Sequence, residues 1–272
     1  HNIEEEKILL AGIHTHSGPA TAVYIGWGEP DKEYLSKLPD LILKAAEEAN
    51  ENLKEVRVGI GTIEIDGEEI SYNRVKEDVG VNKEIKVMKF VEKETEKPLC
   101  LILNYGAHAV VQGSANTLIS RDWPGEAVDL IKKETSFETM FFQGGCGDIN
   151  SKSGYPNPDE GFKEIKRIGR YFAERVIKEI DKIKVEDIKK FKNKSFKQYL
   201  PTTSIPENEL KKVIEENEKI LIEEEDENKK RAIKFQIEGA KAQLSFYKEK
   251  KDLYQMEIET HVIGINNAIL IT

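Results

Sequence analysis

The 272-residue chain is short of several things, and each shortage closes off a class of protein. It has two cysteines, Cys100 and Cys146, each in or beside an apolar run (PLCLIL and FFQGGCGDI). Two buried thiols are the expected outcome, ahead of a disulfide between them. No apolar stretch approaches the ~20 residues that a membrane-spanning helix needs, so no span is expected and the chain reads as soluble, cytoplasmic or secreted. Positive charge is in deficit: 41 Lys and Arg against 50 Asp and Glu give a net charge of -9, which repels a phosphate backbone. Nucleic acid is therefore not an expected partner. No Gly-Lys-Ser/Thr follows the glycine-rich loop at 144–147, which excludes a P-loop. No internal repeat stands out, and an initiator methionine is missing as well. The chain opens on His1 and stops on Thr272 as a strand finishes, so a fragment of a longer domain is expected.

What remains is an ordinary globular composition, 39% hydrophobic and 33% charged, with enough residues to bury a core. Residues 7–13 (KILLAGI) predict a short buried strand that delivers a His-rich loop. Leu35, Leu38, Leu41, Ile42, Ala45 and Ala46 recur at helical spacing within 31–54, with Asp31 as N-cap or first-turn acid and Pro39 as a break or kink. Residues 56–65 alternate as a strand, and Asp66-Gly67 predicts a hairpin turn into EEISYN. Strands follow at about 85–92, 99–105 and 139–143, with a helix opened by Pro124 between the last two. Residues 160–182 form a strongly amphipathic helix. Apolar residues at 210, 214, 221, 233, 237, 240 and 244 then predict an antiparallel helical hairpin with the acidic run EEEDENKK near its turn. Residues 262–271 read as paired strands turning at Asn266-Asn267.

The expected fold is therefore α/β, a layered mixed β-sheet flanked by helices with an inserted helical hairpin. Residues 1–205 and 252–272 would form the central part of the α/β domain, and 206–251 the insertion.

Three of the five histidines sit in loops beside buried strands. His14 and His16 lie in IHTHSGP, and His108 lies in NYGAHAVV. Zinc prefers neutral imidazole nitrogens, and alternate residues of an extended segment face one way, so His14 and His16 can share a cavity. Two imidazoles hydrogen-bonded within a polar loop would give the same pattern. The loop QGGCGDIN can aim backbone N–H groups at a bound group, or be a tight turn with Asp148 as a cap. Arg74 can clamp a carboxylate or polarise a carbonyl, or make an exposed ion pair. Asp122 precedes an aromatic and a helix start, and His261 lies in a strand with no polar companion.

Taken in order, HTHSGP, NR (73–74), NYGAHAVV, ISRDWPG (119–125) and QGGCGDIN resemble the neutral/alkaline ceramidase family and its shorter bacterial relatives. The likeness covers about 8–182 and the final strands. It implies a zinc-dependent hydrolase of an amide (N-acyl) bond, with a small-molecule or lipid-like substrate. It also implies His14 and His108 as zinc ligands, His16 beside the substrate, and Arg74 in the site. The family completes its zinc site with a Glu and a Tyr that follow the last strand of this chain, after Thr272. It carries a Ser in the glycine-rich loop where Asn150 stands here, with Ser151 one position off. The expected catalytic set is His16, Arg74, Asp148 and Asn150, with Asp148 and Asp122 also able to support the histidines from behind. Two alternatives accompany this reading: an inactive binding or assembly module that works through the acidic hairpin, and a metal-dependent esterase.

Overall fold

The computed structural model describes residues 3–4, 7–22, 29–113, 116–153, 157–201, 205–248 and 255–271. Alternating side chains build its main sheet. β1 (Val56–Glu64) runs antiparallel to β3 (Glu84–Glu92), and β3 runs antiparallel to β4 (Pro98–Tyr105). β4 then pairs parallel with β5 (Glu138–Gln143), and a short β7 (Glu186–Asp187) extends the far side of β1. The strand order is β5-β4-β3-β1-β7, a mixed sheet as expected. A parallel step needs a crossover, which α2 (Asp122–Thr135) supplies.

Helix α3 (Pro158–Glu179) packs on α2. Asn157 caps α3 by accepting the Asp159 N–H at 2.9 Å, and Pro158 at its first turn gives up no helical bond. Ile165, Ile168, Phe172 and Val176 recur at three-to-four spacing and are all buried. They meet Trp123, Tyr105 and Phe141, whose rings contact Phe172 and one another at centroid distances of 5.1–6.2 Å. Such tilted and edge-to-face pairs add roughly 0.5–1.5 kcal/mol each beyond area burial. Lys89, on the buried side of β3, donates Nζ to the carbonyls of Ile180 (3.0 Å) and Ile183 (3.4 Å) just past the end of α3.

Three expectations need correction. Residues 7–13 are not a buried strand: Ile8 is 46% and Leu10 70% exposed, and the first bridge in this region is Thr15 with Ala109. An apolar run becomes a strand only when a neighbour satisfies its backbone, and among the described residues none does. Asp66-Gly67 makes no hairpin turn. Asp66 is extended (φ -77) and its carboxylate accepts the Glu68 N–H, starting a 3-10 turn at Gly67–Glu69. The next strand, β2 (Ser71–Asn73), pairs with β6 (Ile149–Ser151) instead. Gly67 is there for space, since a Cβ would run into the Asn82 carbonyl and the Tyr105 hydroxyl. Finally, α1 (Lys32–Glu51) continues through Pro39 without a break. None of its residues is buried, so water can bond the carbonyl that a proline leaves unpaired. Asp31 caps it as expected, accepting the N–H groups of Glu33 and Tyr34.

The chain divides into two compact units. The first comprises His1–Gly18, Leu43–Lys192 and Ile263–Ile269, and the second Pro19–Ile42, Asn193–Val262 and Leu270–Thr272. The first holds the five-stranded sheet with α2 and α3. In the second, α4 (Glu207–Glu223) and α5 (Glu227–Lys248) pack together as the expected hairpin, burying Leu210, Ile237 and Ala240. Residues 249–251 of that expected insertion lie outside the described residues. β8 (Phe191–Pro201), β9 (Gln255–Ile265) and β10 (Ala268–Ile271) make a three-stranded sheet in the order β10-β9-β8. β8 was not apparent from the sequence, because its lysines interrupt any apolar alternation. β9 and β10 turn at Asn266, whose φ of 51 suits a tight hairpin.

Candidate metal centre

The first unit brings His14, His16 and His108 together. Their ring nitrogens can all lie within 4.8 Å of one another, and ring centroids are 5.0 Å (14 to 16), 4.9 Å (14 to 108) and 5.4 Å (16 to 108) apart. Two loops deliver them. Thr15 bridges Ala109, and the His16 N–H donates to the Ala109 carbonyl at 3.0 Å, which zips the His14 loop onto the His108 loop. His14 has φ 60, a left-handed conformation that is uncommon outside glycine and recurs at functional sites. The segment is thus not extended as expected, yet His14 and His16 still converge.

His108 is buried, at 4% exposure. Its backbone N–H and its Nδ1 both meet the Ile149 carbonyl, at 3.0 and 2.9 Å. A carbonyl only accepts, so Nδ1 carries the proton and Nε2 keeps its lone pair for a ligand. His14 and His16 are exposed. Partial desolvation holds both below the usual 6.5, and the neighbouring imidazoles and Arg74 push them down further. Both rings are therefore neutral near pH 7, the form that binds a cation.

Arg74 donates Nε and Nη2 to the Gly147 carbonyl at 3.0 and 2.7 Å, and its backbone N–H to Asp148 O at 2.8 Å. The Asp148 carboxylate accepts from Asn73 Nδ2 at 3.0 Å. It fixes the strand end that presents Arg74 and is not one of the clustered metal donors. Asn150 pairs with Tyr72 on one side and bridges His108 on the other. Its Oδ1 is buried without a hydrogen-bond partner among the described residues. Ser151 is fully buried opposite Ser71, and strand alternation turns it away from the face of Asn150. Ser151 therefore does not occupy the place of Asn150.

Asp122 is 2% exposed, and burial pushes its carboxyl up to about 6 despite N–H bonds from Trp123, Val111 and Gln112. Sequence reasoning named Asn73 only as part of a motif and missed its bond to Asp148, the Trp123 indole N–H that donates to the His108 carbonyl (3.2 Å), and the Thr15–Ser120 bond. Polar residues beside the histidine motifs were the available signal. His261 lies in β9 of the second unit with Glu259 at 3.5 Å, so it does have a polar companion. Both cysteines are free and half-buried, with no disulfide. No described helix is long and apolar enough to cross a membrane.

No family model matches the chain. Its fold is nevertheless that of part of a neutral ceramidase, in agreement with the resemblance read from the motifs. A structure described as ceramidase complexed with C2 superimposes with a TM-score of 0.58 at 20% identity, over 71% of this chain and 33% of the other. The neutral ceramidase from Pseudomonas aeruginosa gives 0.63 at 18% identity, over 95% of this chain and 47% of the other. The chain thus spans between a third (33%) and a half (47%) of the ceramidase structures it matches.

Proposed function

We propose that this chain carries the histidine ligands of a zinc-dependent hydrolase of the neutral ceramidase type, acting on the amide bond of a lipid-like N-acyl substrate. The observation that carries this is the convergence of His14, His16 and His108 from two loops stitched together by backbone hydrogen bonds. The donors fit the metal: imidazole suits zinc, the rings of His14 and His16 are kept neutral, and His108 has its free nitrogen fixed by the Ile149 carbonyl. Bound there, zinc supplies a Lewis acid that lowers the pKa of water to about 7 and polarises a carbonyl.

In this reading His14 and His108 hold the ion. His16 accepts a proton from the attacking water and returns it to the leaving amine. Arg74, with the backbone N–H groups of the Gly144–Asp148 loop, stabilises the oxyanion, and Asp148 keeps Asn73 and Arg74 in place. Asn150 lines the site beside His108. The likeness to a structure described as ceramidase complexed with C2 supports this substrate class.

The test is zinc content after dialysis, followed by a panel of N-acyl amides and matching esters. His14→Ala and His108→Ala are each expected to lose the metal. Full zinc occupancy in either variant rejects its ligand assignment, and cleavage of esters alone rejects the amide reading.

A further inference from the structure

Both histidine loops are tied to one short segment, Ser120–Trp123, at the start of α2. The Ser120 carbonyl accepts from Thr15 Oγ1 at 2.9 Å, and its N–H donates to the Ser17 carbonyl at 2.9 Å, so it grips the loop of His14 and His16 from both sides. Trp123, fully buried, donates its indole N–H to the carbonyl of His108 itself. Asp122 stands between them. Its Oδ1 accepts the Trp123 N–H at 2.8 Å, and its Oδ2 accepts the Val111 N–H at 3.0 Å, three residues past His108. Its own N–H donates to Ser120 Oγ at 2.9 Å.

The backbone of Asp122 is left-handed, with φ 54, in the first turn of a helix where a right-handed residue would otherwise sit. A carboxylate that is 2% exposed, in an unfavourable backbone conformation, persists only where its surroundings over-determine it. The three amides it accepts from lie at the helix start (Trp123) and in the His108 loop (Val111 and Gln112), so the carboxylate ties that loop to the start of α2. We propose that Asp122 is a positioning residue whose carboxylate, with the Trp123 indole, fixes the distance between the two histidine loops and so sets the affinity of the metal centre. This rests on the metal reading above.

The chemistry of substitution is specific. Asparagine has the shape of aspartate but one acceptor oxygen in place of two. In Asp122→Asn the amide NH2 faces either the Val111 or the Trp123 N–H, donor against donor. Trp123→Phe removes the indole bond to His108 and leaves the carboxylate in place. Neither residue touches the ion in the proposed site.

Co2+ and Zn2+ titrations of the whole chain, by calorimetry and by cobalt absorption, test the proposal, with Val91→Ala as a core variant opposite Pro98, at the end of β4 far from Tyr105 and the His108 loop. Asp122→Asn and Trp123→Phe are each expected to weaken Co2+ binding by about 10- to 100-fold and to alter the cobalt bands, as loss of support behind a ligand does. Val91→Ala is expected to lower the unfolding midpoint and leave affinity and bands unchanged. Where Asp122→Asn fails to fold, Trp123→Phe decides. Wild-type affinity and bands in a folded Asp122→Asn or Trp123→Phe overturn the proposal, as does an equal loss in Val91→Ala. A wild-type chain that binds no Co2+ rejects the metal centre itself, and the positioning role with it.

Discussion

Gly106 and Gly145 lie in two facing loops, and their responses to a single added methyl group should differ sharply. A Cβ built on Gly106 falls closer than 3.0 Å to the Gly145 carbonyl oxygen and 3.3 Å from its carbon, and both atoms are backbone, so no rotamer change relieves it. Comfortable carbon–oxygen contacts begin at ~3.3 Å, so the two loops must part by at least about half an ångström. That strains the Gly144 N–H bond to the Tyr105 carbonyl, now 2.9 Å, which holds them together. Overpacking of this kind costs about 1–3 kcal/mol and a broken buried amide bond about 1–3 kcal/mol more, so Gly106→Ala should lose about 2–6 kcal/mol. The 144–150 loop also holds Arg74 through Gly147 and His108 through Ile149, so zinc affinity should fall with stability. At Gly145 a Cβ meets nothing within 4 Å, and Gly145→Ala should stay within about 0.5 kcal/mol of wild type. Urea unfolding of both variants with a shared m-value measures this. Equal costs in the two variants would refute the close-approach argument.

Asp122 should leave a mark on stability against pH. Its carboxyl is raised from 3.8 to about 6, so the folded chain holds this proton more tightly than the unfolded chain does. The contribution is complete below pH ~4 and is lost as pH rises through about 6, an effect on the order of 3 kcal/mol. The stability of wild type relative to Asp122→Asn should therefore fall across that window; a flat difference from pH 4 to 7 would contradict it. His14 has a lowered pKa, so at this ligand protons compete with zinc only at lower pH than for free imidazole. The loss of zinc affinity with falling pH should set in at lower pH for His14 than for a free imidazole, and a titration in which it sets in at or above the free-imidazole range would count against this. Lys89→Met should cost about 2 kcal/mol in thermal unfolding, because it leaves the Ile180 and Ile183 carbonyls without their charged donor. No measurable cost would mean that water replaces the ammonium there.

Elements that carry their own periodicity were legible from the sequence. Ile165, Ile168, Phe172 and Val176 announce α3 by spacing alone, and β1, β3, β4 and β5 announce themselves by alternation or by short apolar runs. What depends on a distant partner was not legible. Residues 7–13 have the composition of a strand and no described neighbour to pair with, and Asp66-Gly67 has the turn chemistry of a hairpin while the next strand pairs with residues 149–151. The candidate site divides the same way. The histidines, Arg74, Asp148 and Asn150 stand in recognisable motifs, and the structure assembles His14, His16 and His108 from two of them. The left-handed turn at His14, the grip of Asn73 on Asp148 and the indole bond to His108 are tertiary choices that no local pattern encodes.

The central claim is that His14 and His108 share one cation, with His16 beside it. Crystals of the chain soaked in zinc, with anomalous data collected on both sides of the zinc absorption edge, test it most directly. A difference peak between the rings of His14, His16 and His108, absent in His108→Ala, is the predicted result. Zinc density only at surface carboxylates, with the three rings bare, would contradict it.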